Sequence, residues 1–131
     1  MSEVAYLDSS ALVKLALVED ESEALWRALR SWPRRVTSRL AVVEVLRAVR
    51  REDVAREPLA RGILARVALA AMTDGILAQA VQLEPATIRS LDAIHLATAQ
   101  RVQSGLAAFV SYDKRQLEAA EALGLPVASP H

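Results

Sequence analysis

The chain has 131 residues, 53% hydrophobic and 24% charged, with no net charge and no cysteine. This length suits one ordinary domain with a real core, and excludes a disordered tail. The lack of cysteine excludes disulfides and thiolate metal sites. Aromatics are only 4%, so the core is expected to be Ala, Leu and Val on closely approaching helices.

The N-terminus, Met1 to Asp8, has no basic region, and Asp8 breaks its apolar run. It does not read as a signal peptide. No stretch reaches the ~18 apolar residues of a membrane span, and a cytoplasmic location is the default expectation. Val4 to Leu7 reads as a buried strand, followed by a helix through Ala11, Leu12, Leu15 and Ala16, capped by Ser9 or Ser10. Glu19 to Glu21 read as a turn and an acidic first turn of a second helix, stopped by Pro33. Val36-Thr37-Ser38 reads as a second strand, with Ser38 as an N-cap. From Leu40 to Arg51, apolar residues recur at helical spacing. A further helix follows Pro58 and runs through Ile63, Leu64, Val67 and Ala68.

Thr73-Asp74-Gly75 marks a break before a helix from Ile76 to Leu83. Ser90 is expected to cap a helix from Leu91 to Val102, ended by Gly105. Ala107 to Ser111 reads as a buried strand, Asp113 to Leu123 as the last helix, and Val127 as a final short strand. Short apolar strands alternating with amphipathic helices imply a mostly parallel sheet covered on both faces, a three-layer α/β/α sandwich. One domain spanning 1–131 is the expected organisation.

The charge is uneven. Nine arginines face four acids between Arg34 and Arg66, a segment of +5 against −5 elsewhere. Such an arm suits a phosphate backbone, although a solvated arginine-rich helix face gives the same count.

Four acids stand out. Asp8 directly follows the first strand and Asp113 lies two residues past Ser111, so both belong to the carboxyl rim of the sheet, where parallel sheets bind ligands. Asp92 sits in a helix's first turn, where free N–H groups favour its charge. Glu44 is flanked by the apolar Leu40, Val43 and Val45. Singly, each has an ordinary reading: Asp8 and Asp113 as caps, Asp92 as a first-turn charge, Glu44 as a partner of Arg47. Gathered, four carboxylates repel one another, and a hard divalent ion removes that penalty. All-oxygen donors suit Mg²⁺ or Mn²⁺, which can polarise a phosphodiester and activate water.

These residues also carry a resemblance. Tyr6-Leu7-Asp8-Ser9-Ser10-Ala11-Leu12, Ser38-Arg39-Leu40-Ala41-Val42-Val43-Glu44, Ser90-Leu91-Asp92-Ala93-Ile94-His95-Leu96-Ala97-Thr98-Ala99 and Phe109-Val110-Ser111-Tyr112-Asp113 resemble, in order, the four blocks of PIN-domain toxins of the VapC type. The third block is the most specific. The resemblance implies a PIN-like fold and an endoribonuclease using Mg²⁺ or Mn²⁺ at Asp8, Glu44, Asp92 and Asp113. Asp8 and Asp92 would ligate most directly, while Ser9 and Ser111 would hold water or phosphate. It further implies an RNA substrate, a homodimer, and inhibition by a cognate VapB-type antitoxin whose tail covers the groove. The arginine-rich helices between Arg39 and Leu69 would supply dimer contacts and RNA-binding charge.

His95, one turn past Asp92, reads as a proton shuttle or as a buried packing residue. Lys14 and Arg115 read as phosphate contacts or solvent-facing charges. Trp26 and Trp32 read as base-stacking, packing or protein-contact residues. Three alternatives accompany the toxin reading. A PIN nuclease of RNA processing or decay shares the motifs, and the short chain speaks against it. A signalling receiver would need an acidic pair where Asp8 stands alone. A non-catalytic RNA- or protein-binding module would not need four acids.

Overall fold

In the computed structural model, residues 4–102 and 105–131 are described. Of the segment Met1 to Asp8 that does not read as a signal peptide, Met1 to Glu3 lie outside the described residues. The elements in chain order are β1 (Val4–Leu7), α1 (Ser9–Ala16), α2 (Ser22–Leu29), β2 (Arg34–Ser38), α3 (Leu40–Asp53), a 3₁₀ turn (Val54–Arg56), α4 (Glu57–Leu64), β3 (Ala68–Ala70), α5 (Asp74–Gln82), α6 (Ser90–Gln100), β4 (Ala108–Val110), α7 (Lys114–Ala122) and β5 (Val127–Ala128). The strands form one parallel sheet in the order β3-β2-β1-β4-β5.

β1 is the centre of this order, and the chain leaves it first toward β2 and later toward β4. The carboxyl ends of β1 and β4 thus flank the switch point, where a crevice opens. Alternation along β1 divides the core in two. Leu7 turns to one face, with Leu12, Leu25, Val45 and Val49 of α1 to α3. Tyr6 turns to the other, with Leu96 of α6, Phe109 of β4 and Ala120 of α7. Burying each leucine contributes about 1.5–3 kcal/mol. Ala11, Ala16, Ala41 and Ala60 are completely buried, as the small-residue composition suggested. The three-layer α/β/α expectation holds.

Local boundaries differ at several points. Asp8, not Ser9 or Ser10, caps α1, its carboxylate accepting from the Ala11 N–H. β2 begins two residues earlier than expected, its first three residues, Arg34 to Val36, paired to β1. Ser38 ends that strand, and Arg39 takes the position before α3 while Ser38 Oγ accepts from the Leu40 N–H. Ser90 is the first residue of α6 rather than its cap. Ala68 belongs to the edge strand β3, not to the preceding helix. Ala-Leu-Ala has good helix propensity, and only pairing with β2 makes it a strand. Among the described residues, no helix is long and apolar enough to cross a membrane.

Candidate active site

Asp8 leaves β1 into the sheet's carboxyl rim and is only 4% exposed. Its Oδ1 accepts from Ser10 Oγ at 2.6 Å and from the Ala11 N–H at 3.0 Å. Burial pushes its pKa up, and these bonds oppose that push only in part. Ser111, fully buried at the end of β4, lies 3.3 Å from Ser10 Oγ and accepts the Asp113 N–H at 3.0 Å. Ser10 also accepts the Tyr112 N–H at 2.8 Å. The Ser10–Ser111 pair therefore ties the ends of β1 and β4 together beneath the crevice.

Glu44 comes from α3. Its Oε1 accepts from Ser9 Oγ at 2.6 Å and meets His95 Nε2, also at 2.6 Å. His95 is 3% exposed, and its Nδ1 lies 2.6 Å from the Tyr6 hydroxyl. Burial raises the Tyr6 pKa beyond the range in which it would ionise, so the phenol keeps its proton. A neutral ring with its hydrogen on Nε2 satisfies both contacts: Tyr6 donates to Nδ1, and Nε2 donates to the carboxylate. Burial pushes the Glu44 pKa upward, but the His95 and Ser9 hydrogen bonds outweigh it and the net shift is downward. Both partners use the same oxygen, and neither engages Oε2.

Asp92 stands in the first turn of α6 and Asp113 caps α7, accepting from the Arg115 and Gln116 N–H groups at 2.9 and 3.4 Å. The Arg89 guanidinium spans them, 3.4 Å from Asp92 and 3.7 Å from Asp113. Desolvation raises the Asp92 pKa; Arg89 opposes this, and Asp113 and Glu44 add to it. Glu44, Asp92 and Asp113 share with Arg89, Ser90 and Leu91 a cleft of about 300 Å³.

Three of the four expected acids thus line one cleft, and the buried Asp8 is not on its lining but is linked to the Asp113 backbone through Ser10 and Ser111. Among the described residues, no three His, Cys, Asp or Glu side chains are already gathered as a metal-holding group. The donor chemistry nonetheless fits a hard cation, since the acids are all oxygen ligands and three of them, Asp8, Glu44 and Asp92, carry a desolvation penalty that a cation relieves. Arg89 now supplies positive charge to Asp92 and Asp113.

His95 is buried, as the packing reading held, and it also touches an expected site acid. Lys14 is committed elsewhere, 3.1 Å from both Glu21 oxygens and over the Tyr112 ring. Arg115 is exposed. Trp32 packs against the core, whereas Trp26 is 48% exposed and lines a separate apolar groove. Of the basic segment, Arg50 and Arg61 bind Glu57, and Arg35 binds the Leu29 and Trp32 carbonyls. Tyr6 and Arg89 were not singled out from sequence. Arg89 had one usable signal, its i,i+3 spacing to Asp92.

Residues 5–122 match the family model described as PIN domain. The chain is 46% identical over 125 residues to Ribonuclease VapC46 of Mycobacterium tuberculosis (strain ATCC 25618 / H37Rv), spanning 95% of this chain and 96% of that protein. Its fold is similar to that of Mycobacterium tuberculosis VapC20, a toxin that cleaves the sarcin-ricin loop (TM-score 0.76, 19% identity, 96% and 99% of the two chains). It is also similar to a chain of a toxin–antitoxin complex from Klebsiella pneumoniae (TM-score 0.74, 23% identity, 97% and 98%).

Proposed function

The chain belongs to the PIN-domain family, and from that premise we propose that it is a metal-dependent endoribonuclease, the toxin of a type II toxin–antitoxin pair. The observation that carries this reading is the meeting of Glu44, Asp92 and Asp113 in one cleft, with the buried Asp8 linked to Asp113 through Ser10 and Ser111. It gains support from 46% identity to a ribonuclease along nearly the whole chain.

Asp8 and Asp92 would hold Mg²⁺ or Mn²⁺ most directly, with Glu44 and Asp113 completing the set. Such an ion, when bound, supplies charge for the phosphodiester and acidifies water. The chain's own residues do the positioning. Ser10 fixes the Asp8 carboxylate, and Ser111 fixes Ser10 and the backbone of Asp113. Ser9 and His95 hold one oxygen of Glu44, and the other would be left for a ligand in the cleft that Glu44 lines. One rotamer of Asp8 and one of Glu44 are thereby favoured before substrate arrives, which lowers the cost of reaching the reacting geometry.

RNA is the substrate class in this reading, and the protein works in the cytoplasm as one domain and as a homodimer. A VapB-type antitoxin is its inhibitor, in keeping with the toxin–antitoxin complex whose fold it shares. Induced expression of the wild type and of Asp92→Asn in a bacterium, followed by mapping of RNA 5′ ends, tests the proposal. Growth arrest with discrete new ends in the wild type alone is expected. Unchanged growth and RNA, with no cleavage by the purified protein in Mn²⁺, would overturn it.

A further inference from the structure

Beside the acid cleft lies a second and larger one, of about 470 Å³, walled by the loop before α6 and the outer face of α7. It shares Arg89 and Asp92 with the first. We propose that this second cleft is a nucleotide subsite: it holds the base and ribose next to the phosphodiester being cut. The proposal rests on the ribonuclease reading and specifies where the RNA chain continues.

Continuity is the first ground. A strand whose phosphate sits at Asp92 is already at the wall of the second cleft, because Arg89 and Asp92 line both. The shape and chemistry of the walls are the second. Pro85, Ile88, Ala119 and Ala122 offer an apolar surface of the kind a base covers. Arg89 and Arg115 supply positive charge for the next phosphate. Arg115 is exposed, and no carboxylate pairs with its guanidinium among the described residues. Glu118 is the other acid on these walls, and it faces solvent.

Gln116 gives the third and independent ground. Its side chain is 2% exposed, forms part of the cleft lining and donates Nε2–H to the Asp92 carbonyl at 3.2 Å. Its Oε1 has no hydrogen-bond partner among the described residues. Turning the amide over would set Oε1 against that carbonyl, two acceptors facing each other, so the bare oxygen is not a matter of orientation. Buried acceptors are seldom left bare. RNA bases carry N–H donors on their edges, so a base seated here, after a small shift of the amide, supplies what Gln116 lacks. A peptide from a protein partner is the rival occupant.

Binding of a fluorescein-labelled single-stranded RNA octamer, measured by anisotropy with EDTA present, tests the subsite. Arg115→Ala and the cleft-filling Ala119→Phe are compared with the wild type and with Arg27→Ala, an exposed control. A 4-thiouridine version of the octamer is photocrosslinked, and the attached peptides are identified. About 5- to 10-fold weaker binding by both cleft variants is expected. Arg115→Ala should also lower the log–log salt slope by roughly 0.7, the loss of one phosphate contact, and crosslinks should fall on residues 85–89 or 115–119. Should Ala119→Phe fail to fold, Arg115→Ala and the crosslinks decide alone. Wild-type affinity in Arg115→Ala with crosslinks elsewhere would overturn the subsite and leave the ribonuclease reading standing. If the wild type neither bound the octamer nor cut RNA in Mn²⁺, the ribonuclease reading would fall first and the subsite with it.

Discussion

On one side of the acid cleft, Glu44 is held by Ser9 and His95 at 2.6 Å each, and His95 is anchored in turn by the buried Tyr6 phenol. On the other, Asp92 and Asp113 share one solvent-facing guanidinium, that of Arg89, at 3.4 and 3.7 Å. The first carboxylate is stabilised by fixed dipoles and its pKa falls; Asp92 is desolvated beside two other acids and its pKa rises. The site is therefore half preorganised and half frustrated. The fixed half sets geometry before a ligand arrives, and the frustrated half holds repulsion that a cation relieves.

Removing His95 should produce the largest effect on the fixed half. His95→Ala takes away a buried ring and two short hydrogen bonds, those to Glu44 and to the Tyr6 hydroxyl. A loss of about 2–4 kcal/mol is expected in urea denaturation. Cleavage by the folded fraction should fall roughly 10- to 100-fold, as when the orienting partner of a metal ligand is lost. A variant with unchanged stability would show that the network does not brace the fold, and the contrast between the halves would fail.

Neutralising one acid from each half sharpens the contrast, because opposite signs are expected. The folded pKa of Glu44 is lowered, so its contribution is present above its unfolded value and is lost as pH falls through the folded one. Glu44→Gln should therefore cost about 1–2 kcal/mol at neutral pH through its lost charge-assisted bonds, and less in acid. The folded pKa of Asp92 is raised, so ionisation weighs against the fold as pH rises through that value. Asp92→Asn should gain a few tenths of a kcal/mol at neutral pH, a gain that disappears below the unfolded carboxylate range. Thermal melts from pH 3 to 8 with EDTA would measure both; equal signs would remove the distinction.

The positions of the acids were legible because the sheet's carboxyl rim follows from strand endings. Asp8 and Asp113 come just after apolar runs, and a parallel sheet carries such residues to one edge. The fixed half was less so. Tyr6 and His95 lie 89 positions apart, and only β1 packing against α6 on one sheet face brings them together. His95 showed a residue that is both packed and placed against an acid, where sequence reading treated these as alternatives. The edge strand β3 escaped because three residues carry too little periodicity to override good helix formers. The bare oxygen of Gln116 could not be foreseen either, since it depends on which buried donors are absent.

Arg89 gives the smallest and most discriminating test. Its side chain is 63% exposed, so its pairs with Asp92 and Asp113 are screened by water and should stabilise the fold little. Yet it opposes the desolvation, and the lesser repulsion by Asp113, that raise the Asp92 pKa. Arg89→Gln should therefore lower the melting temperature by only about 1–2 °C at neutral pH and low salt with EDTA. The difference should vanish near 1 M salt, where the Debye length is about 3 Å, and also in acid, where the carboxylates are protonated. If the loss instead matched that of His95→Ala and persisted in salt, the guanidinium would be a structural brace. The Asp92 side would then be as fixed as the Glu44 side, and the cleft would have no yielding half to accommodate a cation.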